Sequence, residues 1–156
     1  MKIRKAEPRD IKNTYLLFAD QTIRLKSKKS AIIKFEDHET WFNERILYDN
    51  FFILEEEHGD FIGQIRIDKK NNENIISIGL VEHYRNKGYG FKSIKECLQL
   101  INEVEIVAYI KSSNVASIRL FRKLNFVKTS VSERGGDGLE RHVLFRKISQ
   151  KCKESR

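Results

Sequence analysis

Two glycines, Gly88 and Gly90, lie among basic side chains in the stretch "HYRNKGYGFKSIKE" at residues 83–96. A nearly all-apolar run at 74–81 precedes this stretch and predicts a strand, and the residues after the glycines follow a helical pattern. The start of a helix leaves backbone N–H groups unpaired, and glycines without Cβ atoms let an anion approach that backbone closely. Strand, glycine turn and helix together predict a cradle for a phosphate group.

Two familiar phosphate-binding motifs do not fit the stretch. A P-loop requires the pattern G-x-x-x-x-G-K-[ST], which is absent, and a dinucleotide-binding fold requires a third glycine where Ser93 stands. The first half of the chain also lacks the repeated strand and helix units of the dinucleotide fold. A plainer interpretation stays open, in which Gly88 and Gly90 only make a tight strand-to-helix turn.

The composition suits one globular domain. The chain has 156 residues, of which 40% are hydrophobic, and can bury a sizeable core. No run approaches the ~20 apolar residues of a membrane span, and the start lacks the apolar core of a signal peptide, so we expect a cytoplasmic protein without membrane contact. Cys97 and Cys152 form no C-x-x-C pair and have few histidines nearby, which predicts neither a disulfide framework nor a metal site.

The charge of the chain favours anionic partners. There are 30 basic and 22 acidic residues, which gives a net charge of +8. Charge alone does not choose between RNA and a phosphorylated cofactor. The basic residues are scattered, apart from "RLKSKK" at 24–29 and the C-terminal tail, and such runs are usually solvated faces or frayed ends.

Hydrophobic periodicity predicts the order β-α-α-β-β-β-α-β-α-β-β. Asp10 is the expected cap of the first helix, the second spans 35–47, the third begins at about Gly90, and Ser113 is the expected cap of the last. The glycine-rich residues 135–138 predict the turn of a closing antiparallel hairpin.

This order of elements, with "RNKGYG" after the fourth strand, resembles the GNAT family of acetyl-CoA-dependent N-acetyltransferases over about residues 2–148. The matching patterns are [QR]-x-x-G-x-[GA], at Arg85, Gly88 and Gly90, and N-x-x-S-x-x-x-[YF]-x-K-x-x-F, at Asn114, Ser117, Phe121, Lys123 and Phe126. The resemblance implies a GNAT fold of the α/β (α+β) class, with a mixed central sheet of about seven strands and about four helices on both faces. We expect one domain at 1–148 and a basic tail at 149–156.

The resemblance also implies a binding site for acetyl-CoA. In the family, the backbone of the glycine turn holds the pyrophosphate of coenzyme A, the edge of the fourth strand pairs with pantetheine, and the last helix lines the other side. In this chain the turn comprises Arg85, Asn86, Lys87, Gly88, Tyr89 and Gly90, the strand edge comprises Leu80 and Val81, and the helix side comprises Asn114, Ser117 and Phe121.

The implied reaction is the attack of a neutral amine on a thioester, which requires an oxyanion donor, a base and release of a thiolate. The backbone N–H near Leu80 is the expected oxyanion donor. Many family members carry a glutamate base where this chain has Asn74 and a tyrosine acid where it has Phe121. Glu73 is expected to point to the sheet face opposite Asn74, so we expect no single strong base.

The missing base favours acceptors that lose a proton easily. Terminal amino groups have pKa values of ~7.7–8.0, against ~10.4 for lysine side chains. A water held by Asn74 or Ser77 would take the proton from such an amine, and Tyr109 or Tyr89 stays open as an acid. The sequence therefore predicts a small-molecule amine acceptor of low pKa.

The segments at 35–68 and 75–90 look like those of GNAT enzymes that act on nucleotide-linked amino sugars in surface-glycan or pseudaminic-acid synthesis. Trp41 could stack on a sugar or base, unless it belongs to the core, and Gln64 and Arg66 could reach hydroxyls or a diphosphate. One alternative is an N-terminal acetyltransferase of ribosomal or other proteins; another is a non-catalytic basic binding module. Nucleic acid is not expected as a partner, and a homodimer stays open.

Overall fold

The computed structural model describes residues 1–26, 31–48, 50–132 and 138–146. Seven strands in these ranges form one sheet. In chain order the strands are β1 (Lys2–Lys5), β2 (Asn50–Glu55), β3 (Phe61–Lys70), β4 (Glu73–Leu80), β5 (Glu105–Lys111), β6 (Val127–Ser132) and β7 (Leu139–Phe145). The α-helices are α1 (Ile11–Ala19), α2 (Gln21–Lys26), α3 (Phe35–Tyr48), α4 (Tyr89–Cys97) and α5 (Val115–Lys123).

The sheet is mixed and follows the order β1-β2-β3-β4-β5-β7-β6. Neighbouring strands are antiparallel except β4 and β5, which are parallel and pair at Ile75 and Val107. Helix α4 makes the crossover that parallel neighbours require. The predicted mixed sheet of about seven strands is confirmed.

The described ranges contain five α-helices, against about four predicted, because the short helix α2 after α1 was not predicted. Helix α1 ends at Ala19, and the next residue, Asp20, begins a new helix. Its carboxylate accepts hydrogen bonds from the backbone N–H groups of Thr22 at 2.7 Å and Ile23 at 3.3 Å. An acidic side chain that satisfies the first free N–H groups of a helix stabilises its start.

The two faces of the sheet carry different cores. On the α4 face, covered by α4 and α5, the main core includes Ile65, Ile94 and Ile106, which are fully buried. Each such side chain stabilises the fold by about 1.5–3 kcal/mol. The α1 face, covered by α1 and α3, has a smaller cluster that includes Phe42 and Phe51.

Two predicted helix caps differ from the structure. Asp10 precedes α1, but its carboxylate accepts two hydrogen bonds from Arg4 at 2.8 Å and one from the backbone N–H of Glu7 at 2.8 Å. It makes no side-chain cap bond to α1, because the buried ion pair holds it elsewhere. At α5 the capping side chain is Asn114 and not Ser113.

Most of the predicted closing turn at 135–138, and all of the predicted tail at 149–156, lie outside the described residues. The strands of the closing hairpin, β6 and β7, are present and antiparallel. Within the described ranges, no helix has both the length and the apolar character that crossing a membrane requires.

Candidate active site

The glycine turn between β4 and α4 has the backbone shape of an anion cradle. Gly88 is the N-cap residue of α4 and has a φ of 88°, and Asn86, two residues earlier, has a φ of 58°. Left-handed residues at such spacing direct backbone N–H groups to one concave side. Gly88 has no side chain to cap the helix, so the N–H groups of the first turn of α4 stay available to a phosphate.

Gly90 brings this cradle against the end of β4. An ideal Cβ on Gly90 would lie 3.1 Å from Cδ2 of Leu120 and 3.8 Å from Cδ1 of Leu80. The first distance is tighter than ordinary side-chain contact, so the glycine lets the first turn of α4 approach α5 closely. The cradle therefore adjoins the point where β4 ends.

The basic side chains of the turn have different surroundings. Lys87 and Lys92 are exposed to solvent, where either could meet an anion. Arg85 instead donates to the carbonyl oxygen of Leu80 at 2.8 Å, and to two side chains at the start of α2. Its guanidinium is therefore directed toward α2.

Strands β4 and β5 separate beyond Ile75 and Val107, where their ladder pairs them. The backbone N–H of Val81 bonds to the carbonyl of Ile62 on β3 at 2.9 Å, so in this antiparallel ladder the alternate residues, Ile78 and Leu80, direct their backbone polar groups toward β5. The result is an open strand edge in the split between β4 and β5. Of the predicted pair Leu80 and Val81, Leu80 is the residue whose N–H faces this split.

A polar cluster joins three strands on the α1 face. The hydroxyl of Tyr109 donates to Oε2 of Glu73 at 2.7 Å, and Arg141 donates from Nε at 2.9 Å and from Nη2 at 2.7 Å to Oε1 of the same carboxylate. Tyr109 and Arg141 are direct cross-strand partners on β5 and β7. The hydrogen bond to Glu73, together with burial, raises the pKa of the Tyr109 hydroxyl above its usual value.

Glu73 lies on the face opposite Asn74, as predicted, but its face also carries the exposed Ser77. Asn74 donates its amide to the backbone oxygen of Glu105 at 3.1 Å and so bridges β4 and β5. Asn74 and Ser77 consequently point to opposite faces and do not come together around one water. The sequence analysis set Glu73 aside and did not link it to Tyr109 or Arg141, because their shared face depends on the register of β5 and β7.

Three of the predicted cofactor-binding residues make contacts within the protein. Oδ1 of Asn114 accepts from the backbone N–H of Ser117 at 3.3 Å as the helix cap. Phe121 is 3% exposed and belongs to the main core. The phenol of Tyr89 donates to Oε1 of Glu56 at 2.6 Å, at the end of the β2–β3 hairpin, and not toward the split.

Trp41 and Arg66 come together on the α1 face, and Gln64 lies two residues before Arg66 on the same face of β3. The guanidinium of Arg66 lies 4.7 Å from the centre of the Trp41 ring, and its Nε donates to Oδ1 of Asp68 at 2.6 Å. Trp41 also contacts other rings of the α1–α3 region, so it is partly a packing residue. Nη1 of Arg66 and Oε1 of Gln64 are buried without a hydrogen-bond partner among the described residues. Arg66 is in register with Ser77, which brings this cluster to within one strand of the split.

A cleft of about 250 Å³ opens beside these residues, next to Phe18 of α1, whose ring centre is 6.0 Å from the Arg66 guanidinium. Its lining consists of Tyr15, Phe18, Ala19, Arg24, Ile32 and Ile33. The cradle belongs to the α4 side and the cleft to the α1 face, so the two lie on opposite sides of the sheet.

A family model of the acetyltransferase (GNAT) domain matches residues 1–127. The chain belongs to the GNAT acetyltransferase family. Membership makes it an acetyl-CoA-dependent N-acetyltransferase, as the sequence predicted. The alternative of a non-catalytic binding module has no support from this match. No curated protein sequence matches the chain significantly.

Solved structures resemble this acetyltransferase over nearly its whole length. The ribosomal-protein-alanine N-acetyltransferase of Brucella melitensis has a TM-score of 0.82 at 18% identity, and the match covers 94% of this chain and 100% of that one. The spermidine N-acetyltransferase of Vibrio cholerae, in complex with CoA and spermine, has 0.79 at 17%, covering 92% and 94%. A phosphinothricin acetyltransferase of Sinorhizobium meliloti, in complex with acetyl-CoA, has 0.80 at 16%, covering 92% and 87%. At these identities the likeness establishes the fold.

The residues of this acetyltransferase fit acetyl-CoA. The N–H groups around Gly88 suit a pyrophosphate, and the open edge of β4 at Ile78 and Leu80 suits an extended arm with amide groups. When bound there, acetyl-CoA supplies an activated acetyl thioester. The backbone N–H groups in the split would then be donors for a developing negative charge on oxygen.

Proposed function

We propose that this acetyltransferase acetylates a primary amine of low pKa on an oxygen-rich small molecule, and that a nucleotide-linked amino sugar is the acceptor class. The observation that carries the proposal is the pair of unpartnered buried polar atoms on β3, Nη1 of Arg66 and Oε1 of Gln64, with the Arg66 guanidinium over the Trp41 ring. Buried polar groups normally have hydrogen-bond partners. Nη1 of Arg66 therefore needs an oxygen, and Oε1 of Gln64 needs an N–H or O–H group, from water or from an acceptor.

The charge on the α1 face supports a neutral or anionic acceptor over a polyamine. Arg66 is paired with Asp68, and Arg141 with Glu73, so neither carboxylate is left to hold a second ammonium group. Lys111 donates to a backbone carbonyl at 2.8 Å, so its positive charge adds to that face. Asp68 neutralises much of the positive charge of Arg66, but the guanidinium can still donate a hydrogen bond from Nη1. This arrangement favours contact with hydroxyls or carbonyls of the acceptor over contact with its diphosphate.

In this proposal the amine passes its proton through water to the Tyr109 hydroxyl and the Glu73 carboxylate, because Glu73 lies five residues before Ile78, about 16 Å along β4. A carboxylate that accepts hydrogen bonds from a tyrosine and an arginine is fixed in position, as a general base must be. Such a base is weak, so an amine that is substantially neutral at pH 7 is still the better acceptor. This keeps the predicted preference for a low-pKa amine while replacing the predicted water on Asn74 or Ser77.

An N-terminal amine is the second candidate, because it also has a low pKa and because the fold resembles the Brucella melitensis ribosomal-protein-alanine N-acetyltransferase. A cytoplasmic location stays a prediction, and a homodimer stays open. Fractionation of tagged protein and light scattering test them.

A screen tests the acceptor class. Purified protein with acetyl-CoA is offered UDP-, dTDP- and CMP-linked amino sugars, peptides with ribosomal-protein N-termini, and spermine, and thiol release gives kcat/KM for each. We expect the best acceptor among the nucleotide sugars and the lowest kcat/KM for spermine. A peptide that outperforms every sugar would replace the proposal with the second candidate.

A further inference from the structure

Helix α2 crosses the split between β4 and β5 on the α1 face. Its residue Ile23 packs on β4, with Cδ1 3.7 Å from the position of an ideal Cβ on Gly79. At its other end, the carbonyl oxygen of Leu25 accepts from Nζ of Lys111, on β5, at 2.8 Å. Gly79 and Lys111 both lie beyond the paired residues of the two strands, so α2 spans the part of the sheet where the strands have separated.

The start of α2 is fastened to the glycine turn by Arg85. Nη1 donates to Oγ1 of Thr22 at 2.6 Å, Nη2 donates to Oδ2 of Asp20 at 3.1 Å, and Nε donates to the carbonyl of Leu80 at 2.8 Å. The Arg85 side chain is 20% exposed. All three of its nitrogens are therefore engaged by α2 and β4.

The carboxylate of Asp20 serves two neighbours with different oxygens. Oδ1 accepts from the backbone N–H groups of Thr22 and Ile23 and from the Thr22 hydroxyl, while Oδ2 accepts from Arg85. Hydrogen bonds from Thr22, and to a smaller extent from Arg85, lower the pKa of Asp20, although burial acts in the opposite direction. One acidic side chain thus starts α2 and joins it to the residue that begins the cofactor turn.

We infer that Arg85 and Lys111 are positioning residues that hold α2 as a strap across the β4–β5 split, and that Arg85 is not a phosphate ligand. The strap forms the wall of the acceptor side above the reacting end of the cofactor. The backbone N–H groups and the exposed Lys87 then provide the contacts to the pyrophosphate. Because Arg85 belongs to both the turn and the strap, it links the geometry of the cofactor side to that of the acceptor side.

Hydrogen–deuterium exchange of the peptide that covers α2 tests the strap without any acceptor. The variants are Arg85→Gln, Asp20→Asn, which keeps an oxygen that can cap α2, and their combination. The matched control is Lys87→Gln, which removes a positive charge from the same turn without touching α2. Charged hydrogen bonds contribute more than neutral ones, so we expect exchange about tenfold faster in Arg85→Gln, about fivefold faster in Asp20→Asn, and no faster in the double variant than in Arg85→Gln.

Binding and kinetics separate a strap from a phosphate contact. Acetyl-CoA affinity, measured by calorimetry, should change less than threefold in Arg85→Gln and Asp20→Asn, and should fall at least fivefold in Lys87→Gln with α2 exchange at the wild-type rate. With the best amine of the screen above, the acceptor KM should rise several-fold in both strap variants while the acetyl-CoA KM does not. Lys111→Gln should accelerate exchange at the C-terminal end of α2.

Two results would overturn the inference. Acetyl-CoA affinity that falls tenfold or more in Arg85→Gln, with α2 exchange unchanged, would make Arg85 a phosphate ligand. Equal acceleration of α2 exchange in Lys87→Gln and Arg85→Gln would attribute the effect to general destabilisation. If Arg85→Gln does not fold, Asp20→Asn and Lys111→Gln still test whether α2 is held as a strap, since neither alters the turn. Unchanged α2 exchange in both variants would overturn the inference. The exchange and calorimetry results do not depend on the proposed acceptor class.

Discussion

The hydroxyl of Tyr109 reaches Oε2 of Glu73 at 2.7 Å across the position where β4 and β5 are paired. Glu73 lies two residues before Ile75 on β4, and Tyr109 lies two residues after Val107 on β5. The hydrogen bond thus spans the vertex of the split on the α1 face. In the proposed function, this carboxylate and phenol take up the proton of the incoming amine.

Removing this pair should slow acetyl transfer without weakening the binding of acetyl-CoA. General-base catalysis contributes about 10²–10⁴-fold, so we expect Glu73→Gln to lower kcat about 100-fold and Tyr109→Phe about tenfold. The pH–rate profile of Glu73→Gln should lose its acidic limb. Steady-state kinetics across pH, with calorimetric titration of acetyl-CoA, measures both effects.

Arg141→Gln is the matched control for that prediction, because it breaks the ion pair with Glu73 while leaving the carboxylate and the phenol in place. It should reduce the free energy of unfolding about as much as Glu73→Gln but lower kcat less than tenfold. If Arg141→Gln and Glu73→Gln have the same kcat, the cluster only supports the fold.

The anion cradle can be tested at one position with two substitutions of nearly equal size. Any side chain at Gly88 is strained by its φ of 88°, but Asn and Asp share that strain and differ in charge. A carboxylate near a pyrophosphate costs on the order of 2 kcal/mol, so we expect Gly88→Asp to bind acetyl-CoA about 30-fold more weakly than Gly88→Asn. The rise in Tm with acetyl-CoA should be correspondingly smaller, and added salt should narrow the difference. Equal Tm shifts for the two variants would refute the cradle.

The fold could be predicted because its elements follow local patterns. Alternating or continuous apolar runs identified the strands, and the cradle is a local feature of residues 85–90. Helix α2 was not predicted because it has only six residues and its start depends on one side chain, the cap residue Asp20. A motif gives the position of Arg85 but not the direction of its guanidinium, which depends on where α2 packs.

The polar cluster of the candidate site could not be found from spacing alone. Tyr109 is 36 residues from Glu73, and Arg141 is 68 residues from it, so their contact requires the registers of β4, β5 and β7 together. Prediction from family patterns looked at the positions of Asn74 and Phe121. The structure uses Asn74 as a bridge between strands and Phe121 as core, and the ionisable residue of the cluster is Glu73, next to Asn74.

The buried histidine of α3 should make the stability of the fold sensitive to mildly acidic pH. His38 is 1% exposed, its Nε2 lies 3.1 Å from Oγ1 of Thr14, and burial, with a smaller effect of the Arg66 charge, lowers its pKa to about 4. The unfolded chain takes up a proton near pH ~6.5, where the folded chain does not, so stability is present above that pH and falls as the pH is lowered toward 4. Between pH 7.5 and 5 the loss should be about 2 kcal/mol.

Urea unfolding of the wild type and of His38→Phe at several pH values measures this contribution. His38→Phe keeps a ring among the aromatic neighbours Tyr15, Phe18 and Phe42 but cannot titrate. The difference in free energy of unfolding between the two proteins should shrink by about 2 kcal/mol from pH 7.5 to 5. A difference that does not change with pH would mean that His38 is protonated equally in the folded and unfolded chains.

The role of Arg66 in binding the acceptor can be tested because Arg66 and its ion-pair partner Asp68 can be changed separately. Arg66→Ala should raise the acceptor KM about tenfold and leave acetyl-CoA affinity unchanged, since Nη1 loses a charged hydrogen bond to the acceptor. Asp68→Asn leaves the guanidinium over Trp41 and removes the negative charge that pairs with it. If the acceptor's hydroxyls or carbonyls meet Arg66, the KM in Asp68→Asn should stay within twofold of the wild type. If a diphosphate meets it, the freed charge should lower KM several-fold, and that lowering should weaken with added salt. An acceptor KM that Arg66→Ala leaves unchanged would remove the whole cluster from the acceptor site and return the choice of acceptor to the N-terminal amine.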